Sequence, residues 1–269
     1  MTPALALRLF ALEFKRAFAY RAEFWLGFVG NALSQFAVAY LLWAAVFAGA
    51  GIHEMNGLTL RDLALYYLLI PLVERVVMGA EMSHISGEIY DGTLTRFLLY
   101  PVSFFRFKYV SSMAQSLVFA GQMAVAAAAF LFFLGIPPAF HVTAPGLCLC
   151  AVSAALGTVL YFALAACLEM VAFWADNVWS IMILNRLVLH FLGGGLLPLV
   201  FFPQAIQSVL KLTPFPYLVS FPLRFLMGSM TPGDVALGFA VILFWIAALS
   251  ALALWIWRKG SRQYSGVGI

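Results

Sequence analysis

The stretch GEIYDGTLTRFLLYPVSFFRF, residues 87–107, decides how this chain is read. It stands between two long apolar segments and carries Glu88, Asp91, Arg96 and Arg106, together with two glycines and a proline. A connector that only joined two membrane spans would be shorter and less charged. Ser86 and Gly87 supply a turn signal ahead of Glu88. Asp91 is placed to act as an N-cap, followed by Gly92 and Thr93, and Leu94, Phe97 and Leu98 then share one face at helical spacing. Pro101 stops the helix. The stretch therefore predicts a short amphipathic helix presented at a membrane surface. Such a helix either lies in a partner's groove through i, i+3, i+4 anchors or rests on lipid headgroups, and the residues alone leave both open.

The composition outside this stretch sets the class. The chain has 269 residues, of which 64% are hydrophobic and 10% charged, and its mean hydropathy is +0.99. A soluble domain keeps about a quarter of its residues charged. Lipid must cover what water cannot, so the chain reads as a single polytopic membrane domain over 1–269. The net charge of +4 is small, and no basic run interleaved with aromatics points to nucleic acid. Cys148, Cys150 and Cys167 lie in apolar sequence and read as small packing residues. No disulfide framework or metal-ligand spacing is present. The N-terminal MTPALALRLFALEFKRAFAY does not read as a signal peptide, because Arg8, Glu13, Lys15 and Arg16 interrupt its apolar residues.

A helix needs about 20 apolar residues to cross the bilayer core. Six stretches qualify: 24–50, 63–80, 109–134, 147–173, 178–200 and 235–257. The segment 201–234 is apolar but cut by Pro203, Pro214, Pro216 and Pro222. Its pieces are too short to span and predict a re-entrant helical hairpin that packs on the bundle, since broken backbone at membrane depth must be covered. Leu7, Phe10, Phe14 and Phe18 recur at helical spacing, so 1–22 predicts an amphipathic helix lying in the interface. The fold class is thus an all-α integral membrane protein. It comprises six transmembrane helices, an N-terminal interfacial amphipathic helix, a short cytoplasmic coupling helix within 84–107, and the re-entrant hairpin between spans five and six. Ten lysines and arginines flank the spans on the side of both termini and of residues 84–107, against three on the other side. The positive-inside rule then makes both termini and that segment cytoplasmic, in a multi-pass protein of the cell membrane.

At this point the residues resemble a family. Gly92, Leu94, Leu98, Pro101, Val102 and Ser103 follow the Gly-x-Leu-x-x-x-Leu-x-x-Pro-Val-Ser pattern in the first cytoplasmic loop of ABC-2-type transporter permeases. Pro198 and Pro203, then Pro214, Phe215 and Tyr217, resemble the family's segment after its fifth span. The tail LWIWRKGSRQYSGVG is similar as well, so the resemblance runs along essentially the whole chain. It implies that the loop docks on a separate ABC ATPase subunit, two copies of which drive two permeases. The second permease would be identical or related. Glu88, Asp91, Gly92, Arg96, Phe97 and Leu98 become candidate ATPase contacts by this resemblance. No G-x-x-x-x-G-K-[ST] occurs in the chain, and Gly193-Gly194-Gly195 has no following lysine. The resemblance thus implies a permease that is not itself an enzyme and has no cofactor of its own, with ATP and Mg on the partner. It favours an exporter and leaves the substrate unspecified.

Ionisable residues inside a membrane are costly and mark either a path or a pairing. Glu74 and Arg75 in the second stretch point about 100° apart on a helix and so do not pair with each other. Arg186 and His190 are one turn apart on the same face of the fifth, with Asn185 beside them, and Glu169 ends the fourth. These six are candidate polar lining, or alternatively structural pairs such as Glu169 with Arg186 or Glu74 with a neighbouring span. Gly193–Gly195 permits close backbone approach, and with the resemblance this places a dimer seam on spans one and five. Two other classes compete. An ATPase-independent secondary transporter or channel often shows repeated halves, and none is visible here. A membrane enzyme needs clustered acids or histidines, and the four histidines fall in four separate segments.

Overall fold

The computed structural model describes residues 7–12, 14–15, 21–79, 85–99, 103–228 and 230–264, with only the backbone described at 21–29, 31–33, 98 and 134. Most of the expected interfacial helix, His84, Pro101, Val102 and the last five residues lie outside this set. Residues 7–12 and 14–15 are helical, and the Phe10 and Phe14 rings stack at 6.2 Å.

Helix α1 spans Arg21–Ala50. A hairpin of β1 (Glu54–Met55) and β2 (Leu58–Thr59) follows, antiparallel with Met55 opposite Leu58. Its loop is Asn56-Gly57 with φ of 50° and 80°, the pair that a two-residue turn of this hand requires. Helix α2 is Leu60–Met78, and Gly79 at φ 75° ends it. Two short helices come next, α3 (Ile85–Tyr90) and α4 (Leu94–Leu99). Helices α5 (Phe104–Leu134) and α6 (Ala144–Glu169) are long, and a 3-10 turn at Met170–Phe173 extends α6. Helix α7 is Trp179–Leu192. After a 3-10 turn at Leu199–Phe201 come α8 (Gln204–Leu210), α9 (Phe215–Leu218) and α10 (Ser220–Arg224). Helix α11 (Pro232–Gln263) closes the described chain.

Among the described residues, three helical stretches are long and apolar enough to cross a membrane: Phe104–Phe133, Ala144–Phe173 and Pro232–Gln263. The chain is mostly helical and apolar, as the sequence predicts, but these criteria support three of the six expected spans. Helix α2 carries Arg61, Asp62, Glu74 and Arg75. Helix α7 has only 14 residues, about 21 Å of rise against a hydrocarbon core of about 30 Å. The expected span 178–200 is therefore helical only to Leu192, because the glycines that follow turn the chain. Gly194 has φ 91°, and the amides of Gly195 and Leu196 both return to the His190 carbonyl at 2.8 and 2.9 Å.

Helix α2 lies at the centre and packs on α1, α5, α6 and α10. Its residues Asp62–Tyr66 and Leu69–Val73 are buried, while Arg61 is exposed and Tyr67, Leu68, Glu74 and Arg75 are half-buried. The proline-cut segment is also core. Residues Pro216–Leu223 of α9 and α10 are buried and pack on α6, with α9 also against α7 and α10 against α2. Near the start of α2, Asp62 is 1% exposed. Its Oδ2 accepts from the Thr59 amide at 2.8 Å and the Thr59 hydroxyl at 2.6 Å, and its Oδ1 accepts from the Ala139 amide at 2.8 Å. One carboxylate thus caps α2 and ties the β-hairpin to the loop after α5.

Asp62→Ala strands those donors and is expected to cost about 1–3 kcal/mol, seen as a lower Tm in detergent. Asp62→Asn keeps part of the set and should lose less. A Tm unchanged in Asp62→Ala would show that the two loops are held by other contacts.

Candidate functional site

Two groups of the predicted site residues fall in two places. The first is the α3–α4 segment. Ile85, Ile89 and Leu94 are fully or almost fully buried and anchor it. The N-terminus of α3 is held by Glu169, whose Oε2 accepts from the amides of Ile85 at 2.5 Å and Ser86 at 3.2 Å. Tyr90, at the other end of α3, donates to the Ala175 carbonyl at 3.1 Å. The turn between α3 and α4 is built on Gly92, whose φ of 71° suits a residue without a side chain.

Glu88 faces inward along this segment. It accepts from the Thr93 hydroxyl, and its Oε1 lies 2.7 Å from Lys108 Nζ. The Lys108 ammonium also sits 5.2 Å from the Phe97 ring centroid and 5.7 Å from that of Phe104. Phe97 in turn packs edge-on to Phe104 at 5.2 Å. Partial burial opposes ionisation of Glu88, but the bonds from Lys108 and Thr93 outweigh it and hold its carboxyl below the ordinary range. Asp91 and Arg96 are exposed. The expected N-cap by Asp91 is not formed: α4 begins at Leu94, and among the described contacts the Asp91 carboxylate makes no capping bond. The Thr93 hydroxyl, next to the helix start, goes to Glu88 instead. The side chain of Leu98 lies outside the described residues. Leu99, which the sequence reading did not single out, is 80% exposed. Its signal was legible: it is an apolar residue off the face shared by Leu94, Phe97 and Leu98.

The second group lies between α2 and α7. His190 Nδ1 and Glu74 Oε1 are 2.6 Å apart, with side chains 33% and 20% exposed. Arg75 sets its guanidinium 5.5 Å from the Phe119 ring centroid on α5 while staying within electrostatic reach of Arg186. Arg186 is exposed and Asn185 half-buried on α7. Glu169 serves α3. Behind the pair lies the glycine turn. The Tyr66 hydroxyl donates to the Gly194 carbonyl at 2.7 Å and the Tyr67 hydroxyl to that of Leu196 at 2.9 Å. The Ser220 amide donates to the Gly193 carbonyl at 3.1 Å. A side chain on Gly195 would run into His190 and meet Glu74 Oε1 at 2.7 Å. One on Gly193 would meet Val219 Cγ2, also at 2.7 Å. The close approach that the glycines permit is thus used within the chain. The apolar face that α7 leaves open is Trp179, Ile183, Leu184, Leu187 and Phe191. Among the described residues no group of three or more His, Cys, Asp and Glu is gathered for a metal.

A double-mutant cycle on Glu74→Ala and His190→Ala is expected to give a coupling of about 1 kcal/mol, as interhelical polar pairs in bilayers do. Additive losses would mean that the pair contributes no stability. For Glu88, a folded pKa below the usual 4.5 means that its contribution is present above that value and is lost as pH falls through the lowered one. A spin label at Leu99 should therefore gain mobility well below pH 4.5, and Glu88→Gln should abolish the step. A pH-independent signal in the unmodified segment would remove Glu88 from its support.

No curated protein sequence matches the chain. The family model described as ABC-2 family transporter protein matches residues 33–268, which takes in all the helices from the second half of α1 to α11. The chain, a multi-pass membrane protein with a buried central helix and a clamped pair of short helices, belongs to the ABC-2 transporter family.

Proposed function

We propose that this permease works as the transmembrane half of an ATP-driven exporter. In this reading a separate ATPase subunit docks on residues 84–107, and the family membership supports it. The observation that carries it is the division of labour in the α3–α4 segment. Ile85, Ile89, Leu94, Glu88 and Phe97 are spent on holding the segment to its own bundle. Asp91, Thr95, Arg96 and Leu99 are turned outward. A short helix pair that rested on headgroups would turn apolar residues toward lipid and need no such clamp. An acid, a base and a bare leucine on a braced support are what a protein groove reads.

In the same reading the segment and both termini are cytoplasmic in the cell membrane. Helices α1, α2 and α7 complete six spans, and α8–α10 form a re-entrant unit. Two permeases, identical or related, meet along the exposed faces of α1 and α7, and two ATPase subunits carry the ATP and Mg. Glu74, Arg75, Asn185, Arg186 and His190 then border the path that opens between α2 and α7.

The test is purification of the tagged chain from its own cells in nanodiscs, with co-purifying proteins identified by mass spectrometry. An ATPase subunit should accompany the wild type and fall by about tenfold or more in the combined Asp91→Ala, Arg96→Ala, Leu99→Ala variant. A variant that retains the ATPase moves the docking surface elsewhere. A wild type that runs alone overturns the ATP-driven reading, and flux driven by an ion gradient becomes the experiment to run.

A further inference from the structure

Glu169 ends α6 and is 0% exposed. A carboxylate removed from water this fully must be met by donors, and two of its donors are the backbone amides that open α3, at 2.5 and 3.2 Å. The other end of α3 is also tied to the same stretch of chain, since Tyr90 reaches Ala175 just beyond the 3-10 turn.

That turn is itself locked to α11. The Phe173 ring lies 6.0 Å from Trp257 and 6.2 Å from Tyr264, edge-on to both. It occupies the space that a side chain on Gly260 would need. Deeper in the bundle, the Cys167 thiol donates to the Leu249 carbonyl at 3.3 Å. By contrast, α2 ends at Met78, and Gly79 with φ 75° follows it, so the helix of α2 is not the element that holds α3 in these contacts.

We infer that Glu169 is a positioning residue that makes α3 move with α6 and α11, so that a displacement of the docking segment is delivered to those helices and not only to α2 and α5, its neighbours along the chain. This rests on the reading of the segment as the ATPase dock. Its particular content is the route of the force. The contact works through backbone atoms of α3, so it does not depend on which outward side chains touch the partner.

The experiment uses the full chain in nanodiscs together with the ATPase subunit that co-purifies with it. Spin labels go on Arg61→Cys, at the start of α2, and on the exposed native Cys148 of α6, with Cys150→Ala and with Cys167→Ser, whose hydroxyl keeps a donor for the Leu249 carbonyl. In the wild type, ATP with vanadate is expected to shift the label distance. In Glu169→Ala, compared at matched ATPase occupancy, the shift should be lost, and amide exchange over 85–90 should rise by about tenfold with α11 unchanged. Glu169→Gln keeps an acceptor oxygen and should restore both. A full shift in Glu169→Ala overturns the inference, as does a wild-type complex in which ATP and vanadate move nothing. Should Glu169→Ala fail to fold, Tyr90→Phe releases the other end of α3 and is expected to reduce the shift. A full shift there overturns the inference too. If no ATPase accompanies the wild type, it is the docking reading that fails, and the exchange measurement alone still reports whether Glu169 holds α3.

Discussion

Hydrocarbon offers no hydrogen bonds, so a chain that breaks its helix among apolar neighbours must find every partner within the protein. The rest of this structure depends on how that demand is met at Gly193–Leu196. The helix stops there, and the freed carbonyls are taken by Tyr66, Tyr67 and the Ser220 amide. These donors come from α2 and from the start of α10, which is why α2 must be central and why the proline-rich segment must be buried. Removing a side chain from three consecutive residues lets α2 and Val219 approach. The same closeness brings Glu74 to His190. The polar pair and the broken helix are therefore one arrangement and not two.

The short helices α3 and α4 obey a different constraint. Neither is long enough to be stable alone, since isolated helices below about 12 residues are marginal in water. Their order comes from Glu169, from buried Ile85, Ile89 and Leu94, and from the Lys108 cluster. The result is a rigid presentation of few residues. A segment that is to pass on a displacement, as proposed above, would need this, because a flexible loop absorbs a displacement. The aromatic set of Phe104, Phe105, Phe173 and Trp257 extends the rigidity from the segment into α5 and α11.

Much of this was legible in the residues. Apolar runs marked where the long helices lie, though α5 begins at Phe104 and α11 runs on to Gln263 beyond the expected bounds, because charged and polar residues at the helix ends do not show in hydropathy. Prolines at 203, 214, 216 and 222 marked the broken segment, and Gly92 marked the turn from α3 to α4, whereas the turn expected at Ser86 and Gly87 is not formed: both residues are helical within α3, whose first amides are held by Glu169. The spacing of Glu74 and Arg75 showed that they face different neighbours. Less legible were the roles of single side chains. Glu88 and Phe97 looked like outward contacts and are used within the segment. Glu169 looked like a partner for Arg186 and instead holds a helix 84 residues away in the chain. Asp62 could have been found from the local capping-box spacing of Thr59 and Asp62, but its bond to Ala139 could not, because that partner lies 77 residues away.

The sequence by itself determined the class, the helical content and the position of the presented segment, because hydropathy, period and breakers act through neighbours along the chain. Only the tertiary structure decided which charges are consumed in pairs, where α7 ends, and which faces stay open. Those outcomes depend on what lies across a gap of a few ångströms. A residue's type says what partner it needs, but only the packing says which one it finds.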